Sequence, residues 1–144
     1  MKWLLAQILG NLGYVGEGIW RSAQRWYLYP ILICLRLKTI INVANYPAKD
    51  LQDRFEKRFC SWFGIKYIAF DNLAPEYNFE EAFGELLKCE RPVLVHCEGG
   101  KDRTGGLSAY YKRKIMGSTW EEIIKDWKTY GIPGENWLQF LFDE

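Results

Sequence analysis

Short apolar runs along the chain alternate with segments of helical periodicity. Four of the runs are rich in Ile and Val and are bounded by Gly, Pro or Asp, which predicts β-strands. They are GIWRSA (18–23), TIINVA (39–44), IKYIAF (65–70) and PVLVHC (92–97). The stretch 25–37 stays ambiguous, because Pro30 would interrupt a helix there.

Between these runs, apolar residues recur every three or four positions, which predicts amphipathic helices. The apolar stripes are Leu51, Phe55, Phe59 and Trp62 in a helix starting at Asp50, then Phe79, Ala82, Phe83, Leu86 and Leu87, then Trp120, Ile123, Ile124 and Trp127. The pairs Asn78–Glu81 and Ser118–Glu121 have the spacing of capping boxes at the starts of the last two. A final short helix is expected over residues 133–142.

Strands that alternate with helices predict an α/β fold with a central, largely parallel sheet of four to five strands flanked by helices. No repeat, low-complexity tract or linker interrupts the pattern, so we expect residues 1–144 to form one domain. Residues 1–16 are expected to form an N-terminal arm or helix packed on that domain. The alternative is a weak export signal, although the segment lacks an A-x-A cleavage pattern.

Charge and cysteine content exclude several classes of function. The 19 basic and 18 acidic residues leave a net charge of +1, so no broad electrostatic surface for nucleic acid is expected. The four cysteines form no CxxC pair and the chain has one histidine, so no metal site is expected. In a core of this size the cysteines are more typical of reduced thiols, which favours a cytoplasmic protein without stable membrane insertion.

The segment PVLVHCEGGKDRTGG (92–106) carries the candidate chemistry. Its strand ends at Cys97, and Arg103 opens a helix expected to continue to Gly117. A cysteine at this turn faces the positive end of the helix, which lowers the pKa of a thiol. Gly99 and Gly100 let successive backbone N–H groups point inward as an anion nest, and the Arg103 fork matches two phosphate oxygens. The same loop therefore predicts both an activated nucleophile and a site for the dianion that it attacks.

The motif His96-Cys97-x5-Arg103-Thr104-Gly105 resembles the signature of the cysteine-dependent protein tyrosine and dual-specificity phosphatases. The form HCxxGKDRTG is most similar to small bacterial dual-specificity-like enzymes, and IWRSAQ (19–24) resembles a phrase in their first strand. The resemblance spans about residues 18–130 and implies a dual-specificity-phosphatase-like fold and no cofactor. It implies that Cys97 attacks phosphorus, Arg103 clamps the phosphoryl oxygens, Thr104 eases thiolate departure, and His96 fixes the loop through backbone hydrogen bonds. Phosphate is then expected to contact the loop formed by Glu98, Gly99, Gly100, Lys101, Asp102 and Arg103.

The same family supplies its general acid as an aspartate on a loop before the cysteine. Asp71 directly follows the strand IKYIAF and precedes Cys97 by 26 positions, at the edge where α/β sheets place their sites. Asp71 is therefore the predicted acid. Glu76, on the same loop, is the alternative, and a turn-forming role for Asp71 is a further possibility.

Other polar residues near the motif have open roles. Asp102 is expected to brace the loop, with contact to sugar or inositol hydroxyls as the alternative. Lys101 is either a second phosphate contact or a solvated charge. Arg21 and Gln24 are expected to be structural. The basic run 112–114 either neutralises a helix end or forms a patch for an anionic membrane or polyanion.

These features predict a phosphomonoesterase that acts through a phosphocysteine on Cys97, with a phosphorylated protein or small molecule as substrate. The alternative within the same superfamily is hydrolysis of inositol phosphates, phosphoinositides or RNA 5′-triphosphates. The alternative outside catalysis is a phosphate-binding pseudophosphatase, which would lack the nucleophile, the arginine or the acid.

Overall fold

A five-stranded sheet forms the centre of the computed structural model, which describes residues 2–45 and 50–143. The strands are β1 (Gly13–Gly16), β2 (Ile19–Ala23), β3 (Thr39–Asn45), β4 (Lys66–Asp71) and β5 (Val93–Cys97). Their spatial order is β1-β2-β5-β3-β4; β1 runs antiparallel to β2, and the other neighbours are parallel. The predicted α/β fold is confirmed. The fifth strand, β1, comes from the expected N-terminal arm, whose first residue, Met1, lies outside the described residues.

Seven helices lie in the described part of the chain. They are α1 (Lys2–Ile8), α2 (Tyr29–Cys34), α3 (Asp50–Trp62), α4 (Phe79–Lys88), α5 (Arg103–Tyr111), α6 (Trp120–Tyr130) and α7 (Glu135–Phe142). The ambiguous stretch 25–37 is a short 3-10 turn followed by α2, with Pro30 in the first turn, where its missing N–H breaks no helical bond. None of these helices has the length and apolar character needed to cross a bilayer.

The two faces of the sheet bury different layers. On one face, strand residues such as Ile41 and Val95 pack with the apolar stripes of α4, α5 and α7. On the other face, Ile40 and Leu94 pack with α2 and with Phe59 and its neighbours on α3. Adjacent strand residues thus point to opposite layers, as expected for a sheet that is covered on both sides.

The apolar stripe predicted for α3 is wrong. Leu51, Phe55 and Trp62 are 83%, 46% and 64% exposed, whereas Asp53 and Glu56 are buried beside Phe59. The carboxylates of α3 face inward because buried side chains there form hydrogen bonds with them. These hydrogen bonds offset the desolvation cost that normally keeps acidic side chains at the surface.

Both predicted capping boxes are also wrong. Thr119, and not Ser118, caps α6: its Oγ1 accepts a hydrogen bond from the N–H of Glu122 at 3.3 Å. The side chain of Asn78 makes no cap bond to α4. Its Nδ2 instead donates to the carbonyl of Asp71 at 2.9 Å, and its Oδ1, the atom that a cap would need, accepts a hydrogen bond from the N–H of Ala74 at 3.4 Å.

The basic run 112–114 follows α5 in a π-helical turn (Lys112–Met116) and is held by local contacts. Lys112 pairs with Asp126 of α6. Arg113 donates to the carbonyl of Ser118 at 2.8 Å and stacks over the ring of Trp120 at 4.6 Å. These contacts join the end of α5 to α6, which favours the structural interpretation of the run over a patch for anions.

Candidate active site

The carboxyl ends of the parallel strands meet at one edge of the sheet, and the predicted site residues lie there. Cys97 ends β5 and pairs in register with Ala23 at the end of β2. Asp71 ends β4, which is separated from β5 by β3. With strands about 5 Å apart, β4 and β5 are separated by roughly 10 Å, a distance that the loops beyond them can bridge.

The loop of residues 97–103, here the cysteine loop, curls around the sulfur of Cys97. The N–H of Gly100 donates to Cys97 Sγ at 3.2 Å, and both residues are buried. Gly100 has a φ of +69°, and an added Cβ would lie 2.6 Å from the backbone nitrogen of Ala23. Only glycine allows both this left-handed conformation and this close approach. Gly99 has no atom within 4 Å of an added Cβ, so of the two glycines Gly100 is the one that the loop requires.

Three successive carbonyls of the cysteine loop are held by side chains from outside it. Arg25 donates to the carbonyl of Glu98 at 2.8 Å, Asn11 to that of Gly99 at 2.9 Å, and Arg21 to that of Gly100 at 2.7 Å. Because C=O and N–H point in opposite directions across a trans peptide, carbonyls anchored outward leave the following N–H groups directed into the loop. The loop is thereby organised as an anion nest.

Arg21 is a buried cation beneath this nest. Its guanidinium stacks over the ring of Tyr130 at 4.2 Å while donating to Gly100. Burial lowers the pKa of Arg21 from its ordinary value, and the nearby Tyr130, Asp126 and Cys97 oppose that shift. The expectation that Arg21 is structural agrees with its place under the loop, where it also adds positive charge.

His96 is anchored differently from the expectation. Its Nε2 lies 2.5 Å from Oε1 of Glu56 on α3, and both side chains are buried. Glu56 Oε2 accepts a second hydrogen bond, from the hydroxyl of Tyr29 at 2.9 Å. Burial and the adjacent Glu56 raise the pKa of Tyr29, which keeps that hydroxyl a donor. The residue before the nucleophile is therefore fixed by a carboxylate, and its Nδ1 has no hydrogen-bond partner among the described residues, so the expected bonds to the backbone are not made.

A second buried carboxylate on α3 supports the neighbouring strands. Asp53 Oδ1 accepts hydrogen bonds from Gln24 Nε2 at 2.8 Å and from Asn42 Nδ2 at 3.1 Å. The backbone N–H of Gln24 in turn donates to the carbonyl of Glu98 at 3.2 Å. Gln24 is thus structural, as expected, and it connects α3 to the cysteine loop.

Arg103 contacts the loop that carries the two predicted acids. Arg103 Nη1 donates to Oδ1 of Asn72 at 2.7 Å. Asn72 directly follows Asp71 and takes a positive φ of 43°, which suits a tight turn. Asp71 and Glu76 are both exposed on residues 71–78, here the acid loop. The acid loop is thus bonded to Arg103 at Asn72, the residue next to Asp71 in sequence. Glu76 lies four residues farther along the same loop.

The remaining predicted residues take distinct positions. Thr104 is fully buried in the first turn of α5, and its Oγ1 has no hydrogen-bond partner among the described residues. Asp102 accepts a hydrogen bond from the N–H of Gly134 at 2.7 Å, which agrees with a bracing role. Lys101 is exposed and lies over Gly131, where an added Cβ would approach its Cδ to 2.6 Å. The side chain of Glu98 is exposed at the rim.

Sequence reasoning missed the supporting residues Asn11, Asn42, Asp53, Glu56 and Asn72. A signal for two of them was present, because Asp53, Glu56 and Cys60 follow helical spacing on one face of α3. Within residues 2–45 and 50–143, no group of three or more His, Cys, Asp or Glu side chains is placed to hold a metal ion.

Comparison with known proteins gives consistent matches. A model of the tyrosine phosphatase family matches residues 48–130. The inositol diphosphatase DSP4 of Arabidopsis thaliana is 36% identical over 104 residues, which cover 67% of this chain and 52% of that protein. The inositol diphosphatase DSP2 of Oryza sativa is 31% identical over 106 residues, covering 66% and 50%. The chain therefore spans about half the length of these curated relatives.

Solved structures agree with the fold. The catalytic core of the PP-IP phosphatase Siw14 from S. cerevisiae, solved with citrate, superposes with a TM-score of 0.70 at 26% identity, covering 91% of this chain and 83% of that one. TpbA from P. aeruginosa gives a TM-score of 0.70 at 19% identity, covering 93% and 84%, and it supports the fold alone.

Proposed function

The chain belongs to the tyrosine phosphatase family, which confirms the resemblance of its motif, and from that premise we propose that it hydrolyses phosphate monoesters through a phosphocysteine on Cys97. The observation that carries the proposal is the cysteine loop. Its carbonyls are anchored outward by Asn11, Arg21 and Arg25, and the N–H of Gly100 is aimed at the sulfur. Such a preorganised nest stabilises both a thiolate and the phosphoryl oxygens of the transition state.

In the proposed first step, Cys97 Sγ attacks phosphorus, and the bond between phosphorus and the leaving oxygen breaks. Asp71 gives its proton to that oxygen, and Arg103 binds two of the phosphoryl oxygens. Arg103 is bonded to Asn72 on the acid loop, which supports Asp71 over Glu76 as the nearer acid.

In the proposed second step, water attacks the phosphorus of the phosphocysteine while Asp71 takes a proton from it. The P–S bond breaks and the thiolate leaves with its electron pair, releasing inorganic phosphate. The Thr104 hydroxyl, buried and without a described partner, is available to donate a hydrogen bond to the departing sulfur. The phosphoryl contacts come from the amides of residues 98–103, with Lys101 and Asp102 shaping the loop from outside.

The proposed substrate is a phosphorylated protein or small molecule. Similarity to two inositol diphosphatases supports a second candidate, hydrolysis of inositol diphosphates. The two candidates differ in the leaving group: a monoester expels an alkoxide or phenoxide, whereas a diphosphate expels phosphate, which needs less help from an acid. We further propose one phosphatase domain over residues 1–144 acting in the cytoplasm, which the four free cysteines favour.

The proposal is tested by assaying the purified protein on an aryl phosphate, phosphopeptides and inositol phosphates. We expect turnover that vanadate blocks and EDTA leaves unchanged. We also expect a radiolabel on the protein when the reaction with phosphorus-labelled substrate is stopped by rapid denaturation in detergent. The label is expected to disappear in Cys97→Ser and to persist in Cys34→Ser, whose exposed thiol serves as the matched control. Turnover that EDTA abolishes and a divalent ion restores, or a label that remains in Cys97→Ser, contradicts the proposal.

A further inference from the structure

The outward face of α3 is apolar, aromatic and basic at once. Leu51, Phe55 and Trp62 are exposed, and they line a groove of about 290 Å³ together with Arg54 and Arg58. Lys57 and Arg58 border a second hollow beside it. We call this surface, formed by Leu51, Arg54, Phe55, Lys57, Arg58 and Trp62, the α3 patch. Exposed apolar side chains of this size, grouped on one helix, are typical of an interaction surface.

The charge of the chain is divided unevenly, and the α3 patch lies in its positive half. Residues 1–70 contain ten Lys and Arg but four Asp and Glu, and two of those four, Asp53 and Glu56, are buried. Residues 71–144 contain nine basic and fourteen acidic residues. Within residues 51–62 the two acidic side chains are buried while Arg54, Lys57 and Arg58 are exposed, so this stretch of α3 presents positive charge to solvent, and its complement is an anionic surface.

We propose that the α3 patch docks the protein on the surface of an anionic lipid bilayer. Leu51 and Trp62 are eleven residues apart, about 16 Å along the helix, and cations recur between them on successive turns. A helix at the bilayer interface has this composition, because its apolar side chains enter the acyl boundary while Lys and Arg reach the headgroups. The inference goes beyond the hydrolysis proposed above.

A protein partner or a second copy of the chain fits the composition of the α3 patch less well than a bilayer does. Protein interfaces concentrate apolar residues at a centre that is depleted of charge, whereas here Arg54, Lys57 and Arg58 are interleaved with the apolar residues. A symmetric contact with a second copy of the chain would bring these cations to face one another, which electrostatic complementarity disfavours.

The helix that carries the α3 patch is also connected to the cysteine loop. At the N-terminal end of α3, Gln52 Nε2 donates to the carbonyl of Gln24 at 3.3 Å. The N–H of Gln24 donates to the carbonyl of Glu98 in the cysteine loop. Two hydrogen bonds therefore connect the N-terminal end of α3 to the cysteine loop.

Sedimentation with lipid vesicles tests the inference. We expect the protein to bind vesicles of phosphatidylcholine containing phosphatidylserine, to ignore vesicles of phosphatidylcholine alone, and to be released by added salt. The double variant Lys57→Gln/Arg58→Gln should bind about 30-fold more weakly, from the contribution of each cation near an anionic surface. Leu51→Ser and Trp62→Ser should each weaken binding further. All of these residues are exposed and outside the catalytic site, so turnover of a soluble aryl phosphate should not change.

The matched control is Lys125→Gln/Lys128→Gln on α6, an amphipathic helix with two exposed lysines of its own. This control should bind as the wild type does. Failure of the wild-type protein to bind phosphatidylserine vesicles at low salt overturns the inference, and so does an equal loss in the α6 control. A patch variant that keeps vesicle binding but changes the elution volume on size exclusion would assign the patch to contact between copies instead. Each result is independent of aryl phosphate turnover, which reports separately on the proposed function.

Discussion

The cysteine loop and the acid loop meet at one edge of the sheet but are held in different ways. Three carbonyls of the cysteine loop are anchored by side chains from outside it: Asn11 in the turn after α1, Arg21 in β2 and Arg25 just after β2. The sulfur of Cys97 in this loop is buried. The acid loop exposes Asp71, Asn72 and Glu76 and is shaped by the side chain of Asn78. The bond between Arg103 and Asn72 joins the two loops.

The contrast follows from what each loop is proposed to do. An anion nest stabilises a transition state only if its donors are oriented before the reaction, so it benefits from dense hydrogen bonding and burial. A general acid must reach leaving groups of different shapes, and an exposed loop tolerates that variation at little cost. Substitutions in the cysteine loop should therefore lower activity on every substrate, and substitutions in the acid loop should do so selectively.

The largest effect is expected from Arg103→Lys. An ammonium is a point charge and cannot reproduce the two-pronged contact of a guanidinium with phosphoryl oxygens. We expect kcat to fall by about 10³ or more on aryl and alkyl phosphates alike, with the thermal midpoint preserved because Arg103 is partly exposed. Retention of more than about a tenth of the wild-type kcat, a loss below 1.4 kcal/mol, would remove Arg103 from its assigned role.

Asp71→Asn is expected to lower the turnover of substrates to different extents, according to how much their leaving group needs a proton. An alkoxide needs a proton on departure more than a nitrophenolate does, so turnover of alkyl phosphates should drop by about 10² to 10⁴ and that of activated aryl phosphates far less. The basic limb of the kcat–pH profile should also flatten. Glu76→Gln is the matched control on the same loop. If Glu76→Gln shows this selectivity and Asp71→Asn does not, the acid is Glu76.

Gly100→Ala should weaken the cysteine loop on every substrate. Its Cβ would meet the backbone of Ala23, and alanine resists a φ of +69°. Strain of about 1–3 kcal/mol is expected, seen as a lower free energy of unfolding in urea and as a kcat/KM reduced roughly tenfold or more. Gly99→Ala, with open space around its Cβ, should stay close to wild type. Equal behaviour of the two variants would mean that the curl of the loop at Gly100 is not required.

The smallest effect is expected from Asn72→Ala, which removes the bond between the two loops. The hydrogen bond to Arg103 should contribute about 1 kcal/mol to orienting the guanidinium, so the Kd for vanadate should rise about fivefold while kcat changes little. The measurement is competitive inhibition of aryl phosphate hydrolysis. Tighter vanadate binding in the variant would show instead that Asn72 competes with phosphate for Arg103.

The parts of the molecule that could be predicted are those encoded by contiguous residues. The strand ending at Cys97, the glycines after it and the helix opening at Arg103 follow one another in sequence, so local rules suffice. The four parallel strands could be predicted for the same reason, because they are short apolar runs with clear boundaries, whereas β1 lies in the segment that was expected to be an arm or helix.

The supports of the site could not be predicted, because they come from distant elements. Nothing local to Glu56 shows that a histidine forty positions later will lie 2.5 Å away, and burial of a carboxylate opposes its intrinsic preference for water. The apolar stripe of α3 misled for the related reason that hydrophobic periodicity assumes the apolar face is the buried one. In α3 the hydrogen-bonded carboxylates of Asp53 and Glu56 take the buried positions, so most of the apolar face is exposed to solvent.

The burial of Arg21 predicts that anion binding in the cysteine loop depends little on ionic strength. Its guanidinium remains cationic although fully enclosed, since arginine is not deprotonated in proteins. Mobile ions screen exposed charges over about 10 Å at 0.1 M salt and screen a buried charge much less. We therefore expect Arg21, bonded to the carbonyl of Gly100, to add a weakly screened positive charge beneath any dianion bound in the loop. Raising the salt concentration should release the protein from anionic lipid at a much lower concentration than is needed to release phosphate from the cysteine loop. A single salt titration can therefore distinguish binding to lipid through the α3 patch from binding of phosphate in the loop.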